Sequence, residues 1–449
     1  MGRYARVVTE LPGPKSKKLI EKKERYVANA FSLHLPAVID KAEGAVFTDI
    51  DGNSFIDFGG GVGVLNVGHC PPGVVKAIQA QVERFIHTDF SVVPYQCLID
   101  LAGRLAEAAP GPTPKKCGFF NAGAEAVENA VKIAKKYTGR KGIITFECAF
   151  HGRTLMAMSL TSRVKPYKED FGPFAAEVYR IPFAYCYRCT YGLTYPGCGL
   201  ACAEALERFF VTTVSPKEVA AVIAEPVQGE GGFIVPPRGY FKRIREICDK
   251  HGILLICDEV QTGFGRTGTL FAMEQMDGVE PDLMCVAKSI AAGLPLSGVI
   301  GKREIMDRPE DSTIGGTYVG NPVACEAALH VLDQIESEKL LSRSKAIGAR
   351  LTEAFTGFQD RYAFIGDVRG LGAMVAMEFV RGRESKEPAP DIAAALVKTA
   401  MKRGLLLLKA GVQGNCIRCL APLVITDEQL EEAIDIVGES LAEIAAKAA

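Results

Sequence analysis

Two stretches of the chain carry the residues best suited to covalent chemistry. The first is Leu254-Leu255-Ile256-Cys257-Asp258-Glu259-Val260-Gln261, four apolar residues followed at once by two carboxylates. Such a run reads as a buried strand, and the C-terminal end of a parallel strand is where α/β folds hold their ligands. Taken alone, Asp258 could equally cap the next element. The second is Ala287-Lys288-Ser289, which follows Leu283-Met284-Cys285-Val286 and precedes Ala291-Ala292-Gly293-Leu294-Pro295-Leu296. Desolvation disfavours an ammonium, so a lysine in an apolar setting becomes a usable amine nucleophile for Schiff-base chemistry. By itself, the segment also fits a lysine snorkelling from a strand end.

Two further segments add binding groups. In Phe119-Phe120-Asn121-Ala122-Gly123-Ala124-Glu125, a strand turns at Gly123 into a helix, whose free N–H groups and dipole make an anion site. An ordinary strand-to-helix turn looks the same. In Phe150-His151-Gly152-Arg153-Thr154, an aromatic, an imidazole and a guanidinium stand together, and Arg153 can hold a carboxylate through two N–H bonds or simply face solvent. The run Gly263-Phe264-Gly265-Arg266-Thr267-Gly268 matches G-x-G-x-x-G, but an acidic pair separates it from the strand and Thr267-Gly268-Thr269 is a poor helix start. A nicotinamide or flavin site is not expected there.

Cys186-x2-Cys189 and Cys198-x3-Cys202 lie in a stretch rich in Gly, Pro and Tyr. Four thiolates at such spacing can hold a metal or an iron–sulfur cluster, form disulfides, or stay free thiols. Cys416-x2-Cys419 is a weaker pair, because positions three apart on a strand point to opposite faces.

The elements that must position these groups follow from periodicity. Helical spacing appears near 74–87, 96–108 and 124–137. Short apolar runs stand at Cys117–Phe120, Gly142–Phe146, Val219–Ala224, Ile253–Cys257 and Leu283–Val286. Alternating strands and helices predict an α/β domain with a mostly parallel sheet over residues 71–325, with 186–202 as a cysteine-rich insertion. Residues 326–449 open with a long helical stretch, continue with strand-like runs at Ala373–Phe379 and Cys416–Leu420, and end in a helix near 427–446. They read as a smaller α+β domain. Two alternating runs flank Asp51-Gly52, a hairpin signal, and the segment 1–70 that holds them is expected to pack with the smaller domain.

Composition narrows the partners. Of 449 residues, 52 are basic and 53 acidic, so bulk charge offers nothing to a nucleic acid or a membrane surface. The start, Met1-Gly2-Arg3-Tyr4, leads into the charged stretch Lys15–Arg25 without an apolar core, and no run approaches a membrane span. The expectation is a cytoplasmic protein. Most of the fourteen cysteines sit singly in apolar runs, as small buried hydrophobes do.

Taken together, Asp258-Glu259-Val260-Gln261-Thr262-Gly263-Phe264-Gly265-Arg266-Thr267-Gly268 and Ala287-Lys288-Ser289 resemble the signature of the class III aminotransferases. These are the ω-aminotransferase group of fold-type-I pyridoxal-5′-phosphate enzymes. The likeness runs along nearly the whole chain. It includes Gly68-His69, Asn121–Asn129, His151-Gly152-Arg153-Thr154, Glu225-Pro226-Val227-Gln228-Gly229-Glu230-Gly231-Gly232 and Gly316-Thr317-Tyr318-Val319-Gly320-Asn321-Pro322. Within the family it is greatest to the 4-aminobutyrate aminotransferases.

The resemblance implies roles. Lys288 bonds the cofactor aldehyde and carries the proton between substrate and cofactor carbons. Asp258 keeps the pyridine nitrogen protonated. Phe150 stacks on the ring, with His151 and Val260 beside it and Gln261 near the 3′-oxygen. Gly123 and Ala124 bind the phosphate, and Thr317 reaches the phosphate of a neighbouring subunit, which requires a homodimer or a dimer of dimers. Arg153 holds the distal carboxylate of the substrate, Arg418 holds the α-carboxylate of glutamate or 2-oxoglutarate, and Glu230 pairs with Arg418 when an ω-amine is bound. Ala124 departs from the serine of many relatives. Val62 replaces the tyrosine of ornithine aminotransferases and favours a 4-aminobutyrate-like donor, without excluding acetylornithine. The implied reaction is transamination from an ω-amino acid, 4-aminobutyrate first, to 2-oxoglutarate. Acetylornithine, ornithine, β-alanine or lysine are alternative donors, and an amino-acid racemase or epimerase on the same fold is the alternative reaction.

Overall fold

The structure, a computed structural model, describes residues 4–448. Met1–Arg3, from the start that leads into the charged stretch Lys15–Arg25, and Ala449 lie outside the described residues. Contacts between Cα atoms divide the chain into two units, Met1–Pro71 with Ser342–Ala449, and Pro72–Leu341.

The second unit is built on a seven-stranded sheet. Its strands, in spatial order, are Lys115–Phe120, Ser297–Lys302, Leu283–Val286, Leu254–Asp258, Val219–Ala224, Gly142–Phe146 and Val178–Ile181. Ser297–Lys302 runs antiparallel to both neighbours, and the other pairings are parallel. The central strands are buried throughout, so they read as continuous apolar runs. Parallel register aligns their C-terminal ends: Cys257 pairs with Ala224 and Asp258 with Cys285. The chain therefore leaves for Glu147–Arg153, Glu225–Glu230, Glu259–Gln261 and Ala287–Lys288 along one edge of the sheet. Helix Gly123–Thr138 buries Ala126, Val127, Ala130, Val131 and Ala134 against it.

Helix Pro322–Ser337 belongs to this unit, which moves the expected boundary near 325 to Leu341. It packs on helices Pro72–Arg84 and Gln96–Ala108, where Arg104 Nη1 donates to the Leu329 carbonyl at 3.2 Å. The strands Val178–Ile181 and Ser297–Lys302 had no sequence signal, the first being short and the second diluted by Gly298 and Gly301.

The first unit holds two four-stranded sheets. One runs Ile39–Glu43, Val46–Asp49, Ser54–Asp57 and Leu405–Leu406, so the hairpin pairs with a strand from the far end of the chain. The other is antiparallel, in the order Ile365–Leu371, Met374–Phe379, Cys416–Cys419 and Leu408–Ala410. Helices Pro390–Met401 and Asp427–Ala448 complete it. No helix among the described residues is long and apolar enough to cross a membrane.

Candidate active site

Asp258 ends its strand and is 4% exposed. Its Oδ1 accepts the Val260 N–H at 3.0 Å, and its Oδ2 lies 2.7 Å from His151 Nδ1. An ionised carboxylate has no proton to give, so the imidazole donates from Nδ1. That leaves His151 Nε2, which is buried without a hydrogen-bond partner among the described residues, as is Gln261 Oε1. Buried polar atoms of this kind are normally satisfied, and a bound ligand is one way to satisfy them.

Glu225 follows the neighbouring strand. Its Oε1 accepts the Phe150 N–H at 2.9 Å and its Oε2 the Gly229 N–H at 2.8 Å. It thereby ties the loop bearing Phe150, His151 and Arg153 to the loop bearing Glu230. Burial pushes its carboxyl up to about 7, with His151 opposing and Asp258 adding to the rise. Sequence reasoning passed over Glu225 as a site residue. The signal was present, since a carboxylate directly after the buried run Val219–Ala224 repeats the pattern that singled out Asp258.

Glu259 faces a different set of partners. Its side chain accepts the Met273 N–H at 2.8 Å and the Thr262 hydroxyl, and burial pushes it up to about 7. It braces the turn after the strand. The glycine run that follows folds as turns, and no helix opens in it, so the dinucleotide pattern has no structural counterpart.

Lys288 opens the short 3-10 turn Lys288–Ala291 directly beyond Leu283–Val286. Its φ is 49°, in the left-handed region, which costs a residue with a β-carbon about 1–2 kcal/mol. Backbone strain of this kind concentrates at working sites, where surrounding structure enforces it.

At the start of helix Gly123–Thr138, Glu125 Oε2 turns back to accept the N–H groups of Asn121 and Ala122, at 2.7 and 3.1 Å. Ser297 Oγ donates to the Ala122 carbonyl at 2.7 Å, fixing the turn from the other side. The N–H groups of Gly123, Ala124 and Glu125 have no acceptor among the described residues, which leaves an anion cradle. Two close approaches explain glycines here. A Cβ on Gly123 would come 2.9 Å from Val260 Cγ1, and one on Gly229 would come 2.3 Å from Gln261 Oε1.

Gly123, Ala124, Phe150, His151, Asp258, Val260 and Gln261 therefore form one connected set at the sheet edge where Lys288 emerges. Arg153 is exposed on the same loop as His151. Glu230 is half-buried, and Thr317 is exposed, its carbonyl accepting from His87 Nε2. Arg418, buried on strand Cys416–Cys419, and Val62, exposed with φ 65°, both belong to the first unit.

Cys186, Cys189, Cys198 and Cys202, the four cysteines of the cysteine-rich insertion, are free thiols in the structure. Among the described residues no group of three or more His, Cys, Asp or Glu side chains is arranged to hold a metal, and none of the four is in a disulfide. Cys186 lies in a 3-10 turn and Cys202 in the first turn of helix Ala201–Thr212. Burial pushes the Cys202 thiol up to about 11, against opposing backbone hydrogen bonds and with smaller rises from the thiols of Cys186 and Cys198.

This donor set fits pyridoxal 5′-phosphate. There is a backbone cradle for a dianion, a buried carboxylate steadied by an imidazole, two unsatisfied buried polar atoms, and a lysine at the strand end.

Comparison with known proteins agrees. The family model for class III aminotransferases matches residues 27–441. A probable 4-aminobutyrate aminotransferase of Bacillus subtilis strain 168 is 49% identical over 421 residues, 94% of this chain and 96% of that one. A 5-aminovalerate aminotransferase of Pseudomonas aeruginosa is 45% identical, covering 95% and 98% of the two chains. Among solved structures, the pyridoxal-phosphate-bound amine transaminase of an uncultivated Pseudomonas species superposes with a TM-score of 0.85 at 33% identity, over 91% and 95%. The buried Asp258–His151 pair, the helix-start cradle and Lys288 stand in a chain that belongs to the class III aminotransferases, a pyridoxal-phosphate-dependent family.

Proposed function

We propose that the protein transfers the amino group of an ω-amino acid, with 4-aminobutyrate the preferred donor, to 2-oxoglutarate, yielding a semialdehyde and glutamate. The observation that carries this reading is Arg153. Among the described residues no carboxylate pairs with it, and it shares a loop with Phe150 and His151. A guanidinium with its N–H edge available beside the cofactor site selects donors that end in a carboxylate. The relatives named for 4-aminobutyrate and 5-aminovalerate add support, since both compounds end in a carboxylate.

Bound pyridoxal phosphate supplies the aldehyde that receives the amine and a ring that accepts the electron pair. The chain does the rest. The first-turn N–H groups of the Gly123 helix hold the phosphate. Asp258, oriented by His151, keeps a proton on the ring nitrogen. Lys288 Nζ takes the proton from the amine-bearing carbon of the substrate. Phe150 covers the ring face. From the family resemblance we carry over Arg418 as the group for the α-carboxylate of glutamate and Glu230 as the residue that offsets its charge when the donor lacks one. Burying an uncompensated arginine is costly, which gives that exchange a physical reason.

A dimer belongs to the same proposal. Ile86, Val92, Val93 and Ile99 are exposed, and Tyr318, also exposed, lies 5.6 Å from the His87 ring. Asn321 Nδ2 donates to the Ile86 carbonyl at 3.2 Å, joining the Thr317 loop to this apolar stretch. Apolar surface of this sort marks an association face.

The test is a donor panel with and without 2-oxoglutarate, following glutamate formation and loss of optical purity. Glutamate from 4-aminobutyrate supports the proposal, and a higher kcat/KM for 5-aminovalerate lengthens the donor by one carbon. Inversion of an amino acid without an oxo acid overturns it in favour of a racemase.

A further inference from the structure

We propose that Tyr167 determines specificity by presenting Arg153 to the carboxylate of the donor; this deepens the reading above and rests on it. Tyr167 touches two site residues. The Arg153 guanidinium carbon lies over its ring, 4.9 Å from the centroid. The Phe150 ring meets it at 4.9 Å with an interplanar angle of 60°. One aromatic side chain thus joins the residue assigned to the cofactor ring to the residue assigned to the substrate carboxylate.

The geometry suits that task. An arginine packed on an aromatic face keeps its in-plane N–H groups for another partner, whereas a salt bridge would consume them. Arg153 is otherwise exposed on a loop, with long-chain freedom that a carboxylate must overcome on binding. The ring restricts that freedom before the donor arrives.

Tyr167 is itself held. The adjacent Lys168 donates from Nζ to the Thr161 carbonyl at 3.0 Å and lies 5.5 Å from the Phe174 centroid. The Thr161 hydroxyl accepts the His151 N–H at 3.0 Å. The segment bearing Tyr167 is therefore tied to the segment bearing His151 and Arg153, so the spacing between the ring-covering residue and the guanidinium is set by packing. That spacing bears on which donor length is preferred.

The experiment compares Tyr167→Phe and Tyr167→Leu holoenzymes with wild type, using 4-aminobutyrate and n-butylamine as donors and the cofactor's visible absorbance as the check on folding. Tyr167→Phe keeps the aromatic face and stays within about twofold of wild type. Tyr167→Leu raises KM for 4-aminobutyrate about tenfold with little change in kcat, and lowers the preference for 4-aminobutyrate over n-butylamine by about the same factor. Should the leucine variant fail to bind cofactor, Tyr167→Met serves instead. Equal loss on both donors, or an unchanged preference for the carboxylate-bearing donor, overturns the assignment. Wild-type inactivity on carboxylate-bearing donors would instead count against the proposed reaction, so the two failures are separable.

Discussion

His151 Nδ1 stands 2.7 Å from Asp258 Oδ2, with both side chains buried, although Asp258 ends one strand and His151 lies in the loop after another. The contact orients one carboxylate oxygen and fixes the imidazole tautomer. In the proposed reaction Asp258 acts as the carboxylate that holds a proton on the cofactor ring. Asp258→Asn keeps the shape and removes the charge. We expect kcat to fall by about 10²–10³-fold while cofactor still binds, measured by steady-state glutamate formation on the reconstituted variant. A variant within a few-fold of wild type would remove Asp258 from the chemistry.

Glu259 gives a pH prediction with a definite sign. Its folded value is pushed up to about 7 by burial, from an ordinary 4.5. The unfolded chain therefore releases the proton first, and the resulting loss of stability grows from about pH 4.5 to 7 and is complete above it. Glu259→Gln retains an acceptor for Met273 N–H and a donor for the Thr262 hydroxyl without the charge. Its Tm should match wild type near pH 5 and exceed it by a few degrees near pH 9, a difference on the order of 1–3 kcal/mol. Parallel Tm curves would show that Glu259 does not carry this cost.

The cradle at Gly123 predicts a steric effect on cofactor binding. In Gly123→Ala, the new methyl meets the β-branched Val260 at 2.9 and 3.2 Å. Val260 has little rotamer freedom to withdraw. Affinity for pyridoxal phosphate should drop about tenfold by fluorescence titration. Gly103→Ala, in helix Gln96–Ala108 with open space around it, is the control and should bind cofactor normally.

Glu230→Gln tests the exchange between substrates. Single-turnover kinetics should show a larger loss for the 4-aminobutyrate half-reaction than for the glutamate half-reaction. Equal losses would dismiss the role carried over to Glu230.

The chemistry-bearing strands were legible because burial on both faces turns each into an unbroken apolar run, and the residue after the run marks the ligand edge. Leu254–Asp258 and Leu283–Val286 stood out for that reason. The helix-start cradle was legible from the turn at Gly123. What stayed hidden depends on contacts distant in the chain. Glu225 stands directly after a buried run, as Asp258 does, but it works by joining the backbone N–H of nearby Gly229 to that of Phe150, far off in the chain. Tyr167 looks like any loop tyrosine until Arg153 and Phe150 pack on it. Helix Pro322–Ser337 reads as continuous with the helical stretch beyond it, and its packing on helices Pro72–Arg84 and Gln96–Ala108 and on the turn Lys288–Ala291 places it in the second unit.

The account depends above all on Lys288 as the amine that joins the cofactor. Loading the protein with pyridoxal phosphate, treating it with borohydride and mapping its peptides by mass spectrometry measures this directly. The predicted result is a visible absorbance band on loading and a single phosphopyridoxyl addition at Lys288, absent in Lys288→Ala. A protein that stays colourless, or carries the addition on another lysine, would contradict it.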